Sequence, residues 1–412
     1  MKTLLLAGTT AVVLAAANLS PAMAETKPVS QVVQWNRTLL SIVRTAGAQP
    51  VTIHPTRSFA ITHAAIYDAV NAIDGTHRPY LIRLVASRSA SQEAAAAAAA
   101  HEVLVKLYPQ ATLDAQFQQA LAQLPTTGRA DGASIGQKVA DLVLDLRKND
   151  GSNTQPIPYM FGTAPGEYQS TPPNFPKQPQ FTHWSNVAPF ALESANQFRP
   201  GGPPALTADR YSDAIEQVKS LGISGSTAAT ADEALTGRFW NGAIQNYWNE
   251  IAQTASAAHN LTTAEDARLF ALLNLSFADS VIAFYDAKYT YNFWRPVTAI
   301  RAAATDRNPE TEADPNWLPE VGNTTPDPSY PGAHAVISAA GAEVLISFFH
   351  KDHFEFSVTS EVMAGVRSFT SFSAAAEEAT LSRIFAGVHF LFGLTSGRRL
   401  GDDVADFVID NF

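Results

Sequence analysis

Apolar residues recur at three- and four-residue spacing along most of this chain, a period that predicts helices. Helices are expected within residues 35–73, with residues 57–72 (RSFAITHAAIYDAVNA) the clearest stretch. The alanine run at 94–100 leads into a further helix through residue 108, because alanine is the best helix former. Two more cover 115–124 and 132–147. Thr207 is a good N-cap for a helix reaching 222, and one long helix is predicted over 229–258. Thr262 and Glu265 fit a capping box opening a helix that runs to about residue 289. Apolar positions predict another helix after His334, and others over 373–392 and 395–411. No sustained two-residue alternation is read, so a mostly helical, all-α protein is expected.

Residues 155–204 break the pattern. Eleven prolines there forbid long helices, while interleaved aromatics such as Tyr159, Phe181 and Trp184 argue against a disordered linker. An ordered irregular segment that drapes over the helices and shapes a pocket mouth is expected. The organisation is then a signal peptide at 1–24, an N-terminal helical region at 25–154, the irregular segment at 155–204 and a C-terminal helical region at 205–412. Residues 25–412 are expected to form one folded unit.

Composition narrows the possibilities. With 46% hydrophobic residues, the chain can bury a large core. A formal net charge of -10 argues against nucleic acid as a partner. Cysteine is absent, which excludes disulfides, thiolate metal sites and a cysteine nucleophile. Lys2, an apolar stretch over 4–17 and Ala22-Met23-Ala24 read as a cleavable secretory signal, with Glu25 as the mature N-terminus. The expected location is secreted or periplasmic, with no membrane insertion. A homo-oligomer is compatible with the chain.

Three short stretches carry the chemistry. In KYTYNFWRP, Lys288 and Arg295 are seven residues apart, which on a continuous helix puts both cations on one face, with Pro296 limiting continuation. Unless an anion lies between them they repel, and the bland alternative is that both are solvated or paired with Asp279 or Asp286. In PSYPGAH, Pro331 and Gly332 form a tight turn opening a helix. The N–H groups of Gly332, Ala333 and His334 would there offer an anion site, or the stretch is an ordinary loop with an exposed histidine. In SRIFAGVH, a regular helix would place Arg383 and His389 about 120° apart, flanking a ligand. A salt bridge plus a core histidine is the alternative.

Taken together, these stretches resemble the vanadium-dependent haloperoxidases, in the superfamily shared with type 2 phosphatidic acid phosphatases. The signature K-x6-RP, PSGH, SR-x5-H is met by Lys288 with Arg295-Pro296, by the stretch ending at His334, and by Ser382-Arg383 with His389. WNRTLLSIVRTAG, HAAIYDAVNAIDG and ARLFALLNLSFADS are similar to the secreted bacterial branch. The resemblance implies an all-α fold of two packed helical bundles with the site between helices, and vanadate as cofactor, with His389 as the metal ligand. It also implies that Lys288, Arg295 and Arg383 bind its oxygens, that Lys288 polarises peroxide, and that His334 acts as the acid–base group. Gly332 and Ala333 stand where the family has Ser-Gly, so a serine hydroxyl donor is missing while backbone donors remain. The implied partners are hydrogen peroxide, halide and an organic acceptor. A phosphatase using a phosphohistidine, in the same site with phosphate in place of vanadate, is the second reading. A non-catalytic oxyanion binder is the third. His389 lacks the aspartate that some members carry just after this histidine, so a backbone carbonyl is expected to orient it.

Overall fold

The computed structural model describes residues 29–412, so the expected signal peptide at 1–24 lies outside the described residues. The described chain is mostly helical, as expected. Its helices are α1 (Gln31–Arg44), α2 (Pro55–Asp74), α3 (Gln92–Leu107), α4 (Asp114–Gln123), α5 (Arg129–Arg147), α6 (Asp209–Leu221), α7 (Ala231–Phe239), α8 (Ile244–His259), α9 (Thr263–Tyr291), α10 (Pro296–Arg301), α11 (Ala333–Phe349), α12 (Phe372–Phe385) and α13 (Leu391–Asn411). One antiparallel hairpin, β1 (His353–Thr359) and β2 (Val366–Ser371), joins α11 to α12. It was not read from the sequence, although Phe354, Phe356 and Val358 do alternate with polar residues over this short span.

α9 is the axis of the main core. It is apolar enough and long enough to cross a membrane by composition, yet 94% of its most apolar window is buried inside the protein. Thr262 and Glu265 close the expected capping box at its start. α2, α8, α11 and α13 pack around it, with Trp35, Phe59, Trp248, Phe270 and Phe277 fully buried. A second core gathers Tyr211, Trp294, Trp317, Ile384 and Phe390. Between α5 and α6 the chain has only a 3-10 turn at Trp184–Asn186, as the prolines dictate.

Four boundaries differ from expectation, and three of them shape the site. Thr207 caps nothing; Ala208 is the N-cap of α6. The expected helix over 229–258 is broken into α7 and α8 at Asn241-Gly242, a turn dipeptide the apolar period had masked. α9 does end near the expected residue, at Tyr291, but its C-cap Asn292 is left-handed at φ 48°, so Lys288 and Arg295 do not share one helix face. Pro296 starts α10 at its first position rather than ending a helix, with Arg295 as N-cap. The expected helix over 373–392 stops at Phe385, because Gly387 at φ +77° turns the chain.

Candidate active site

The breaks around Asn241-Gly242, Asn292 and Gly387 place or orient groups about one cavity of about 350 Å³. Lys288, Arg295, Ala333, His334, Arg383 and His389 all line it, as do Asp327, Gln180 and Phe181. The five charged or imidazole groups singled out from the sequence are therefore brought together.

Lys288 enters from the last turn of α9, and the left-handed turn at Asn292 redirects the chain so that Arg295 arrives beside it. The irregular segment pins that turn. Tyr168 N–H donates to Asn292 O at 2.6 Å, Trp294 N–H to Gly166 O at 3.0 Å, and Tyr159 Oη to Asn292 Oδ1 at 2.9 Å. Arg383 comes from the last turn of α12. Val388 and His389 both donate their N–H to Arg383 O, at 3.0 and 3.3 Å, so the loop folds His389 back over Arg383. This close turn needs glycine: a Cβ on Gly387 would lie 2.3 Å from Gly222 O. The break between α7 and α8 frees the Trp240 carbonyl, which accepts from His334 Nε2 at 2.9 Å and Arg383 Nη1 at 3.4 Å. In an unbroken helix that carbonyl would be occupied by the residue four positions on.

The cations find partners other than those expected. Lys288 and Arg295 pair with neither Asp279 nor Asp286; Asp279 accepts the N–H groups of residues 190–192, and Asp286 pairs with Arg199. Both bind buried Asp327 instead. Lys288 Nζ is 3.4 Å from Asp327 Oδ1 and also donates to Pro328 O. Arg295 donates through Nη2 to Asp327 Oδ1, and through Nε to the Asp327 carbonyl at 2.8 Å. Asp327 was missed, although it directly precedes the PSYPGAH stretch. Arg383 donates to Asn241 Oδ1 at 2.9 Å, and its buried Nε has no partner.

Burial governs the protonation of this cluster. It lowers Lys288 to about 8, against the raising effect of Asp327, and lowers Arg383 to about 9, with Arg295 adding to the effect. Burial pushes the Asp327 carboxyl up, but Lys288 and Arg295 together hold it below the usual range. His389 is driven well below its ordinary value by burial and then by Arg295, Lys288 and Arg383, so it is neutral. Arginine only donates; its Nη1 lies 3.2 Å from His389 Nε2, so Nε2 carries the lone pair. Nδ1 then donates to Ser329 Oγ at 3.4 Å. That hydroxyl, not the expected backbone carbonyl, orients the ring. His334 is likewise neutral, lowered by burial and Arg383; Nε2–H is committed to Trp240 O, leaving Nδ1 as its basic atom.

The α11 terminus corrects one expectation. The Gly332 N–H does not face an anion, because it donates to Gly393 O at 3.1 Å. Ala333 and His334 begin the helix, and their N–H groups have no acceptor within it. A Cβ on Gly332 would lie 2.6 Å from Leu394 Cδ2, so a serine there would need that leucine to move.

Among the lining groups three buried cations face a single carboxylate, leaving an excess of two positive charges around the neutral His389 imidazole. The unpartnered Arg383 Nε is the clearest sign that an anion belongs here. The described residues contain no cluster of three or more His, Asp or Glu that could hold a metal cation. A metal held here would have to come as an oxyanion, gripped by Lys288, Arg295 and Arg383, with His389 Nε2 as its protein ligand. Vanadate fits that donor set.

Comparison with known proteins agrees with this chemistry. The family described as the VCPO second helical-bundle domain matches residues 268–412, which hold every site residue named above except Gln180, Phe181 and the Trp240–Asn241 pair. The vanadium chloroperoxidase of Curvularia inaequalis is 23% identical over 64% of this chain. The match spans little more than half of that relative, 57% of its length. The crystal structure of a bacterial vanadium-dependent iodoperoxidase superposes with a TM-score of 0.79 at 26% identity, covering 93% of this chain and 96% of its own. A holo-type bacterial vanadium-dependent chloroperoxidase has the same fold, with a TM-score of 0.68 at 15% identity over 89% of this chain and 93% of its own. Residues 268–412 thus match the VCPO second helical-bundle domain, and the described chain shares the fold of solved vanadium-dependent haloperoxidases.

Proposed function

We propose that the chain is a vanadium-dependent haloperoxidase that uses hydrogen peroxide to oxidise halide to hypohalous acid, which then halogenates an organic acceptor. The observation that carries this reading is that Lys288, Arg295, Arg383 and His389 line one cavity, with Arg295 Nη1 at His389 Nε2. Vanadate, when bound, supplies a V(V) Lewis acid that activates peroxide without changing oxidation state.

The protein's own part is electrostatic and positional. The three cations would hold the oxyanion and stabilise negative charge on it. The Ser329 hydroxyl keeps the His389 ring in the tautomer whose Nε2 can bond a metal. Hydrogen peroxide must lose a proton before it can act as an anionic ligand, and His334 Nδ1 is the neutral base on the cavity wall that can take it. Val281, Phe284 and Ile337 line the rest of the cavity with apolar surface, which strengthens each of these interactions.

The composition of residues 1–24 supports export, with the mature chain starting at Glu25. N-terminal sequencing of the processed protein tests this, and an intact Met1 would contradict it.

The test of function is bromination of monochlorodimedone by the vanadate-loaded protein with hydrogen peroxide. Turnover above a vanadate-only blank is expected. Absence of turnover from acid to neutral pH, with hydrolysis of p-nitrophenyl phosphate instead, would assign the phosphatase reading. Absence of both with tight phosphate binding would assign a binder.

A further inference from the structure

The carboxylate of Asp327 is 3% exposed and lies within the cation cluster. It takes up the donors that an incoming oxyanion would need: Arg295 Nη2 and Lys288 Nζ both turn to its Oδ1. The rest of the Arg295 fork is engaged as well, Nε on the Asp327 carbonyl and Nη1 between Val388 O and His389 Nε2. Arg383 differs. It makes no bond to Asp327, holds only Trp240 O and Asn241 Oδ1, and keeps a buried Nε unpaired.

On the reading that this cavity takes an oxyanion, we propose that Asp327 is its specificity-determining residue, an internal anion that competes for Lys288 and Arg295. Ligand entry is then an exchange. An anion gains the two cations only by drawing them from a carboxylate already bonded to both. Chloride or bromide, a single weak acceptor, cannot compete with that carboxylate. A simple monocarboxylate offers no more acceptors than Asp327 already does. A tetrahedral oxyanion differs, because it presents acceptors in several directions and can dock on Arg383 while drawing the other two cations over. Asp327 thus keeps Lys288 and Arg295 from being capped by the halide present around the protein. The same contact ties the PSYPGAH stretch to α9 and α10, which sets the positions of Ser329 and hence of His389.

The test compares the mature wild type with Asp327→Asn and Asp327→Ala, using inorganic phosphate, sodium acetate and sodium chloride as probes by calorimetry. Wild-type Lys288 stands near 8 with the raising effect of Asp327 included, and the variants lose that effect, so the comparison is run at about pH 5.5, well below it. The expected result is that both variants bind phosphate at least tenfold more tightly than wild type and acquire measurable acetate binding, while wild type binds phosphate alone. The variants should also melt below wild type in phosphate-free buffer, because two buried cations have lost their counter-ion, and should gain more in melting temperature from phosphate. Phosphate binding equal to or weaker than wild type in both variants would overturn the role of Asp327 while leaving the oxyanion site in place. Variants that stay unfolded even at saturating phosphate would overturn it too, making Asp327 a structural counter-ion. Absence of phosphate and vanadate binding by wild type would overturn the oxyanion reading itself.

Discussion

Lys288 carries its charge at neutral pH only because Asp327 offsets part of the cost of burying it. Its lowered value, about 8, fixes the pH dependence of oxyanion binding. Below that value the ammonium is present and its contribution is complete. Above it, binding must draw a proton back onto Nζ, so the apparent affinity falls by up to about tenfold per pH unit. Calorimetry of phosphate binding in buffers of different ionisation enthalpy should show proton uptake by the protein above pH 8 and little below pH 7, once phosphate's own titration is subtracted. Arg383 gives a cleaner deletion because it shares no ion pair. Arg383→Ala should weaken phosphate binding by about 1.5–3 kcal/mol, roughly ten- to a hundredfold, with the melting temperature largely kept. The cations and histidines were legible in the sequence because each is rare in an apolar setting and stands beside a turn residue. Asp327 was not, since a lone aspartate between prolines looks like ordinary loop chemistry until the fold buries it. Ser329 and the Trp240 carbonyl were equally hidden, because their partners are 60 and 94 residues away.

The elements deliver these residues by stopping where the hydrophobic period continues. α7 gives way to α8 at Asn241-Gly242, α9 ends at Asn292 and α12 ends before Gly387, and each stop frees or aims a group in the cavity. Apolar periodicity reports burial, and buried residues flank the breaks at Asn241-Gly242 and Gly387, so the period alone carried the expected helices straight through those two. Gly387→Ala tests the element argument. A left-handed φ costs an alanine about 1–2 kcal/mol, and its Cβ would press on Gly222 O. A lower melting temperature is expected together with a loss of phosphate affinity, because His389 is displaced from Arg383. Thr262→Ala is the control: losing the capping box of α9 should cost about 1 kcal/mol of stability and leave phosphate affinity unchanged.

At the scale of the molecule, an acidic chain concentrates positive charge in its interior. The net charge is -10, yet the cavity lining carries an excess of two cations. Helical class could be read from the chain because period and capping are local, whereas the two-bundle arrangement was implied by the resemblance of the three motifs. The role of the proline-rich segment was legible only in outline. Its Gln180 and Phe181 do reach the cavity wall, but the bonds by which it pins Asn292 join residues more than a hundred positions apart. Since the folded state alone gathers the cations, phosphate at about a hundred times its dissociation constant should stabilise the protein by about 2.7 kcal/mol. A melting temperature unmoved by phosphate would count against the site. The most direct measurement is the vanadium retained after protein equilibrated with orthovanadate is passed through a desalting column, for wild type and His389→Ala in parallel. Stoichiometric vanadium on wild type and little on the variant is the expected result. Equal retention by both proteins, or none by wild type, would contradict a vanadate site built on His389.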